Sequence, residues 1–256
     1  MGDRAVTDAR PVGFFDSGLG GLCILEAFKR LCPAESTVYL ADSAHCPYGN
    51  RPAAEIVRLS EANYRTLAKK YGCKMVVVAC NTATAAAIDT LRAKHPEMPF
   101  IGLEPAVKPA ALRSKTGVVG VLATAGTFSG RLYNETKAKF AKDVTVIAAV
   151  ADEFVAIVES LGGAKVEGLP AARRARIEAA VRRRIKPLLA AGADHVVLGC
   201  THFPHLKSVI ERVAAGRAAV LDPSDAVARQ ARRVLAARGL LAPSGEPVHV
   251  FLRSGG

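Results

Sequence analysis

Cysteines stand at positions 23, 32, 46, 73, 80 and 200, and two of them share one local pattern. Val77-Val-Ala-Cys-Asn-Thr82 and Val197-Leu-Gly-Cys-Thr-His202 each pass from apolar residues through a small residue to a cysteine, then to polar residues suited to starting a helix. A cysteine at the carboxyl end of a strand and the amino end of a helix meets free N–H groups and the positive end of the helix dipole, which favour the thiolate. Such a thiol serves as a base or a nucleophile. The same place also suits an inert core thiol.

Two such thiols facing each other across a cleft suit inversion at carbon. One thiolate removes a proton from one face, and the opposite thiol returns a proton from the other. Asp16 beside Cys80, and His202 or Glu159 near Cys200, would assist the proton transfers. Backbone N–H groups at the two helix starts would hold substrate carboxylates and the charge growing at the carbanion. Other chemistries find less support. No pair of cysteines has C-x-x-C spacing, which argues against a zinc ribbon or a thioredoxin-type site. In Asp16-Ser-Gly-Leu-Gly-Gly21 a cysteine, Cys23, takes the slot of the third glycine of a dinucleotide fingerprint, and no Walker-type phosphate loop occurs.

The elements that must carry these residues follow from hydrophobic runs and turn formers. Strands are expected at 12–15, 37–41, 74–79 and 99–103, with helices at 22–31, 53–70 and from Asn81 to about 95. Asn81 and Thr82 read as helix caps, and 42–52 reads as a polar loop on the rim that bears Asp16 and Cys80. This βαβαβαβ order predicts a parallel sheet with flanking helices. The pattern then restarts: strands at 117–123 and 144–149, a short helix at 152–161, an Arg-rich helix at 171–190, and a strand at 195–199 ending before Cys200. A short strand at 219–221, a helix at 224–238 and a strand at 248–252 close the chain. Each cysteine pattern is third in its own run of strands, so the halves read as degenerate copies.

The 256 residues are half hydrophobic, enough for one large domain or two lobes without disulfides or metals. No apolar stretch is long enough for a membrane span. Residues 1–10 read as a short disordered lead-in rather than a signal or transit peptide, so a reduced cytoplasmic setting with free thiols is expected. The net charge of +12 lies largely in arginines at 173–184 and 229–238. These read as solvated helix faces rather than a nucleic-acid surface, since aromatic content is low and no nucleic-acid module is recognisable.

Phe15-Asp-Ser-Gly-Leu-Gly-Gly21, Pro47-Tyr-Gly49, Ala79-Cys-Asn-Thr-Ala-Thr84, Pro105-Ala-Val-Lys-Pro109 and Leu198-Gly-Cys-Thr-His-Phe-Pro204 together resemble the glutamate racemases, over nearly the whole chain. These are cofactor-independent bacterial enzymes of the aspartate/glutamate racemase superfamily that make D-glutamate for peptidoglycan. The resemblance implies an α/β fold of two similar three-layer lobes with mostly parallel central sheets and the active site in the cleft between them. The first lobe would comprise 1–105 plus 217–256 and carry Cys80; the second, 106–216, would carry Cys200. The C-terminal segment thereby returns to the first lobe.

The resemblance also implies roles. Cys80 would be the base for D-glutamate and Cys200 the base for L-glutamate, with Asp16, His202 and Glu159 assisting. Substrate contacts would come from Asp16, Ser17, Tyr48, Gly49, Asn81, Thr82, Thr124, Thr127, Thr201 and His202. Glu159 matches an acid that precedes a glycine in the family, although Ser160 and Leu161 intervene here before Gly162, and Ala151-Asp152 replaces the usual Cys-Pro. No metal or cofactor is expected, glutamate is the expected ligand, and a homodimer is left open as the assembly. Cys23, Cys32, Cys46 and Cys73 read as core or loop thiols, and His45 and His205 as loop and surface residues. Other readings of the same residues are an aspartate racemase, a noncatalytic binding protein using the basic surface, and a metal site of Cys80, Cys200 and His202.

Overall fold

The computed structural model describes residues 7–255. The first half runs β1 (Val12–Asp16), α1 (Leu22–Leu31), β2 (Thr37–Ala41), α2 (Ala53–Arg65), β3 (Met75–Val78), α3 (Asn81–Lys94) and β4 (Phe100–Ile101). It continues with α4 (Val107–Arg113), β5 (Val118–Ala123), α5 (Ala125–Phe128), α6 (Arg131–Phe140), β6 (Thr145–Val150), α7 (Glu153–Glu159), α8 (Ala171–Ala190) and β7 (His195–Gly199). Last come α9 (Lys207–Ala214), β8 (Ala219–Leu221), α10 (Ser224–Ala237) and β9 (His249–Arg253). The expected helix at 53–70 is α helical only to Arg65 and then widens into a π turn over Thr66–Lys70.

All strand pairs are parallel, in two sheets ordered β4-β3-β1-β2-β9 and β6-β5-β7-β8. The orders correspond over four strands. β1 and β5 are flanked by β2 and β6 on one side and by β3 and β7 on the other, with β4 and β8 next beyond β3 and β7; β9 extends the first sheet past β2 with no counterpart in the second. The likeness between the two cysteine patterns is therefore carried by topology as well as by residue type.

Both sheets are covered on both faces, which is why their strands read as continuous apolar runs. Side chains alternate along β1 and β3: Val12, Phe14, Met75 and Val77 join the core under α1 and α10, whereas Phe15, Val76 and Val78 join the core under α2 and α3. In the second lobe Leu122, Val196 and Leu198 pack beneath α8 and α9, and Val119, Val121 and Val197 beneath α4 and α6. The arginines of α8 and α10 lie on the solvent sides of these helices. Among the described residues no helix is long and apolar enough to cross a membrane.

The chain re-enters the first lobe later than residue 217. β8 still pairs with β7, through His195–Ala219 and Val197–Leu221, because those three residues complete the outer edge of the second sheet. From Ser224 onward the chain serves the first lobe: α10 packs on α1 through Val227, Ala228, Ala231 and Leu235, and β9 pairs with β2. Of the lead-in, residues 1–6 lie outside the described residues. Asp8, expected to be free, is tied down: its N–H donates to Leu241 O at 3.1 Å and its carbonyl accepts Lys74 Nζ at 2.5 Å. Lys74 in turn pairs with Glu35 at 2.7 Å, both side chains buried.

Candidate active site

In parallel sheets flanked by helices, the carboxyl ends of the strands form the rim where ligands bind. Register decides what reaches that rim. Phe15 pairs with Val78, so two residues further on Ser17 and Cys80 emerge side by side. Ala123 pairs with Gly199, so Thr124 and Cys200 emerge together one residue further on. Ser17 and Thr124 thus hold equivalent places beside the two thiols.

Cys80, rather than Asn81 or Thr82, is the N-cap of α3. Its sulfur accepts the Ala83 N–H at 3.5 Å and lies 4.0 Å from Ser17 Oγ. A sulfur in this place replaces the usual cap oxygen and moves Asn81 and Thr82 into the first helical turn, facing inward. Cys80 is buried, and that burial pushes its thiol pKa well up; the neighbouring Asp16 carboxylate adds to the rise, the Ala83 N–H opposes it, and Cys200 contributes again. The helix start alone implied a lowered value. Removing a thiolate from water costs more than the helix end returns.

Asp16 is fully buried; its Oδ2 accepts the Gly21 N–H at 2.9 Å, and its Oδ1 has no partner among the described residues. Both polar side-chain atoms of Asn81 and the hydroxyl of Thr201 are also buried without partners. An unmet buried polar group costs about 1–3 kcal/mol. Several of them grouped around two thiols mark a place prepared for a polar ligand.

Beside Cys200 a polar chain crosses from lobe to lobe. Cys200 Sγ lies 3.8 Å from His202 Nδ1, His202 Nε2 meets Glu159 Oε1 at 2.6 Å, and the same oxygen accepts the Leu19 N–H at 2.7 Å. Burial alone would lower the His202 pKa, but Cys200, Cys46, Glu159 and Asp16 outweigh it and hold the value well above the usual 6.5. Half-burial would raise Glu159, yet His202 and the Leu19 N–H keep it below the usual 4.5. The glycines of the 17–21 turn make this approach possible. A methyl group on Gly18 would collide with the Glu159 carboxylate, and one on Gly20 with the His202 ring.

A second bridge joins the lobes where Thr82 Oγ1 and Thr124 Oγ1 lie 2.9 Å apart, with Thr127 Oγ1 3.0 Å from Thr124. Gly49 packs against Thr124, where an added methyl group would come within 3.2 Å. Tyr48 packs in the same core as Cys80, and its buried hydroxyl donates to Asp42 Oδ2 at 2.5 Å and accepts from Asn63 Nδ2 at 3.1 Å, which braces the loop.

Sequence reasoning missed three contributors: the Leu19 N–H, Asp42 beneath Tyr48, and His205. His205 Nε2 lies 3.1 Å from Gly20 O, which places this residue against the glycine turn rather than on a free surface. A backbone donor leaves no residue-type signal, His205 acts through a partner distant in sequence, and Asp42 meets Tyr48 six residues on only once the loop is folded. The remaining thiols are free; burial pushes Cys23 and Cys73 up to about 12 and Cys32 to about 11.

Residues 22–231 match the family described as Asp/Glu/hydantoin racemase. A glutamate racemase of Herpetosiphon aurantiacus is 44% identical over 251 residues, covering 94% of each chain. Among solved structures, glutamate racemase of Francisella tularensis in complex with D-glutamate superposes with a TM-score of 0.81 at 26% identity, covering 96% of this chain and 89% of its own. The Escherichia coli glutamate racemase in complex with L-glutamate and an activator superposes with a TM-score of 0.79 at 32% identity, covering 94% and 89%.

Proposed function

The chain belongs to the Asp/Glu/hydantoin racemase family, and we propose that within it this protein is a glutamate racemase that inverts Cα by proton transfer between Cys80 and Cys200, without a cofactor, and supplies D-glutamate for peptidoglycan. The observation that carries this reading is the pair of buried thiols at equivalent strand-to-helix turns, surrounded by unpaired buried polar groups. The relatives that cover nearly the whole chain favour glutamate as the substrate.

In the direction from L to D, the Cys200 thiolate takes the Cα proton and the Cα–H electron pair stays on carbon. The Cys80 thiol then delivers its proton to the opposite face. The high pKa of Cys80 suits this role, because it keeps the thiol protonated until the carbanion forms. His202, held cationic by its neighbours, supports the thiolate beside it. In the reverse direction the free oxygen of Asp16 takes up the Cys80 proton, and His202 helps return a proton to Cys200.

The developing carbanion needs donors aimed at the substrate carboxylate. Asn81, Thr82, Thr201, Ser17 and the N–H groups at the start of α3 are assigned to that work, with Gly49, Thr124 and Thr127 shaping the opposite wall. Tyr48 contributes through its bond to Asp42. The catalytic cleft lies between one lobe of residues 7–105 with 222–255, and another of residues 106–221.

Racemisation in deuterated water tests the reading directly. Product formed from either isomer should carry solvent deuterium at Cα, and Cys80→Ala and Cys200→Ala should each abolish turnover. Near-normal turnover in either variant would rule out the two-base mechanism. Faster turnover of aspartate than of glutamate would overturn the substrate assignment.

A further inference from the structure

Cys46 has no part in the proton transfers described above, yet its thiol does not sit alone. One ligating atom each from Cys46, Glu159 and His202 lies within 4.8 Å of the other two. The three arrive from separate parts of the chain: Cys46 from the loop after β2, Glu159 from the last turn of α7, and His202 from the turn after β7. Cys46 belongs to the first lobe but packs against the core of the second, so it closes the cluster across the cleft.

The donor set selects a class of cation. Thiolate, imidazole and carboxylate together suit zinc and similar borderline divalent ions, whereas magnesium and calcium prefer all-oxygen sites. Tetrahedral zinc with ordinary bond lengths holds its ligand atoms about 3.4–3.8 Å apart. The present separations need side-chain shifts of only about an ångström to reach that. Cys46 and Glu159 also line a cavity of about 630 Å³, which leaves room for a water or other ligand in the fourth position. On the same wall Asp152 balances Arg253 and Glu153 is already paired with Arg184 at 2.6 Å, so the surroundings do not repel a cation.

We propose that Cys46, Glu159 and His202 form a binding site for zinc or a cation of the same class, which spans the two lobes and switches the enzyme off. Binding releases the His202 imidazolium proton and the Cys46 thiol proton to solvent, and the bound cation takes the His202 nitrogen and the Glu159 carboxylate from each other. It thereby ends the support that this pair gives Cys200 and fixes the lobes in one closed arrangement. The inhibition rests on the racemase reading; the binding does not.

Metal-free full-length protein, titrated with cobalt(II) as the probe, reads the site without any activity. One equivalent should bring thiolate-to-cobalt absorption and tetrahedral ligand-field bands, both lost in Cys46→Ala and weakened in Glu159→Gln. In the racemisation assay, micromolar zinc should inhibit the wild type and a chelator should restore it. Cys46→Ala, compared with its own zinc-free rate, should lose at least about tenfold in zinc sensitivity. Cobalt bands that persist in Cys46→Ala, or equal zinc inhibition of both proteins, would overturn the site and place the metal on Cys80 and Cys200. If neither protein racemises glutamate, the racemase reading fails, and the cobalt titration still decides the metal site.

Discussion

Glu159 Oε1 lies 2.6 Å from His202 Nε2 and also accepts the Leu19 N–H from the other lobe at 2.7 Å. One carboxylate oxygen therefore holds the imidazole next to Cys200 and docks the glycine turn next to Asp16. The same atom thus supports both lobe closure and, together with Cys200, Cys46 and Asp16, the positive charge of His202.

Replacing Glu159 with Gln should lower kcat by about 10- to 100-fold, because charge-assisted hydrogen bonds contribute about 1.5–3 kcal/mol. Glu159 acts through His202, so the pH profile distinguishes this from general damage. Without the carboxylate the His202 pKa falls, and the alkaline limb of kcat should move to lower pH. A loss of activity with an unmoved profile would count against the positioning role.

The same pair makes stability depend on pH, with opposite signs for its two members. Glu159 has a lowered folded pKa, so its contribution is present above the unfolded value near 4.5 and is lost as pH falls through the folded one. His202 has a raised folded pKa, so its contribution is complete below 6.5 and is lost as pH rises through the folded value. Thermal unfolding of wild type and Glu159→Gln should therefore differ most between about pH 4.5 and 6.5, with the gap narrowing on both sides. A gap independent of pH would contradict the linkage.

Gly18 and Gly20 should tolerate no side chain, since a methyl group at either position meets Glu159 or His202 across the cleft. Gly20→Ala should cut kcat/KM by at least about tenfold, equivalent to about 1.4 kcal/mol, while the unfolding midpoint changes little, because each lobe keeps its own core. Gly168→Ala is the control. Its added methyl group meets nothing within 4 Å, and activity should be unchanged.

Lys74 and Glu35 form a buried pair at 2.7 Å that joins the start of β3 to the segments around Asp8 and Ala242. Lys74→Met leaves a buried carboxylate without its counter-charge and should cost about 3–5 kcal/mol in urea unfolding. Adding Glu35→Gln should recover a measurable part of that loss. Equal stability of the single and double variants would show that the pair is not coupled.

The strands, most of the helices and the two cysteine patterns were legible because each rests on residues close together in the chain; α4 was not read. Runs such as Met75–Val78 and His195–Gly199, with small and polar residues directly after them, carry a doubly covered parallel strand and its turn within about ten residues. Repetition of that pattern also made the twofold plan readable.

What tertiary structure decided depends on groups brought together in space, whatever their separation along the chain. Ala219–Leu221 was readable as a strand, but only pairing with β7 assigned it to the second sheet. Tyr48 was readable as a rim residue, but the anchoring of its hydroxyl by Asp42 and Asn63 was not. Cys80 was readable at a helix start, but burial beside Asp16 reversed the expected direction of its pKa. Local pattern determines which residues stand at the ends of strands. Burial and cross-lobe contact determine the charge each carries there, because desolvation and Coulomb energies depend on every neighbour in space.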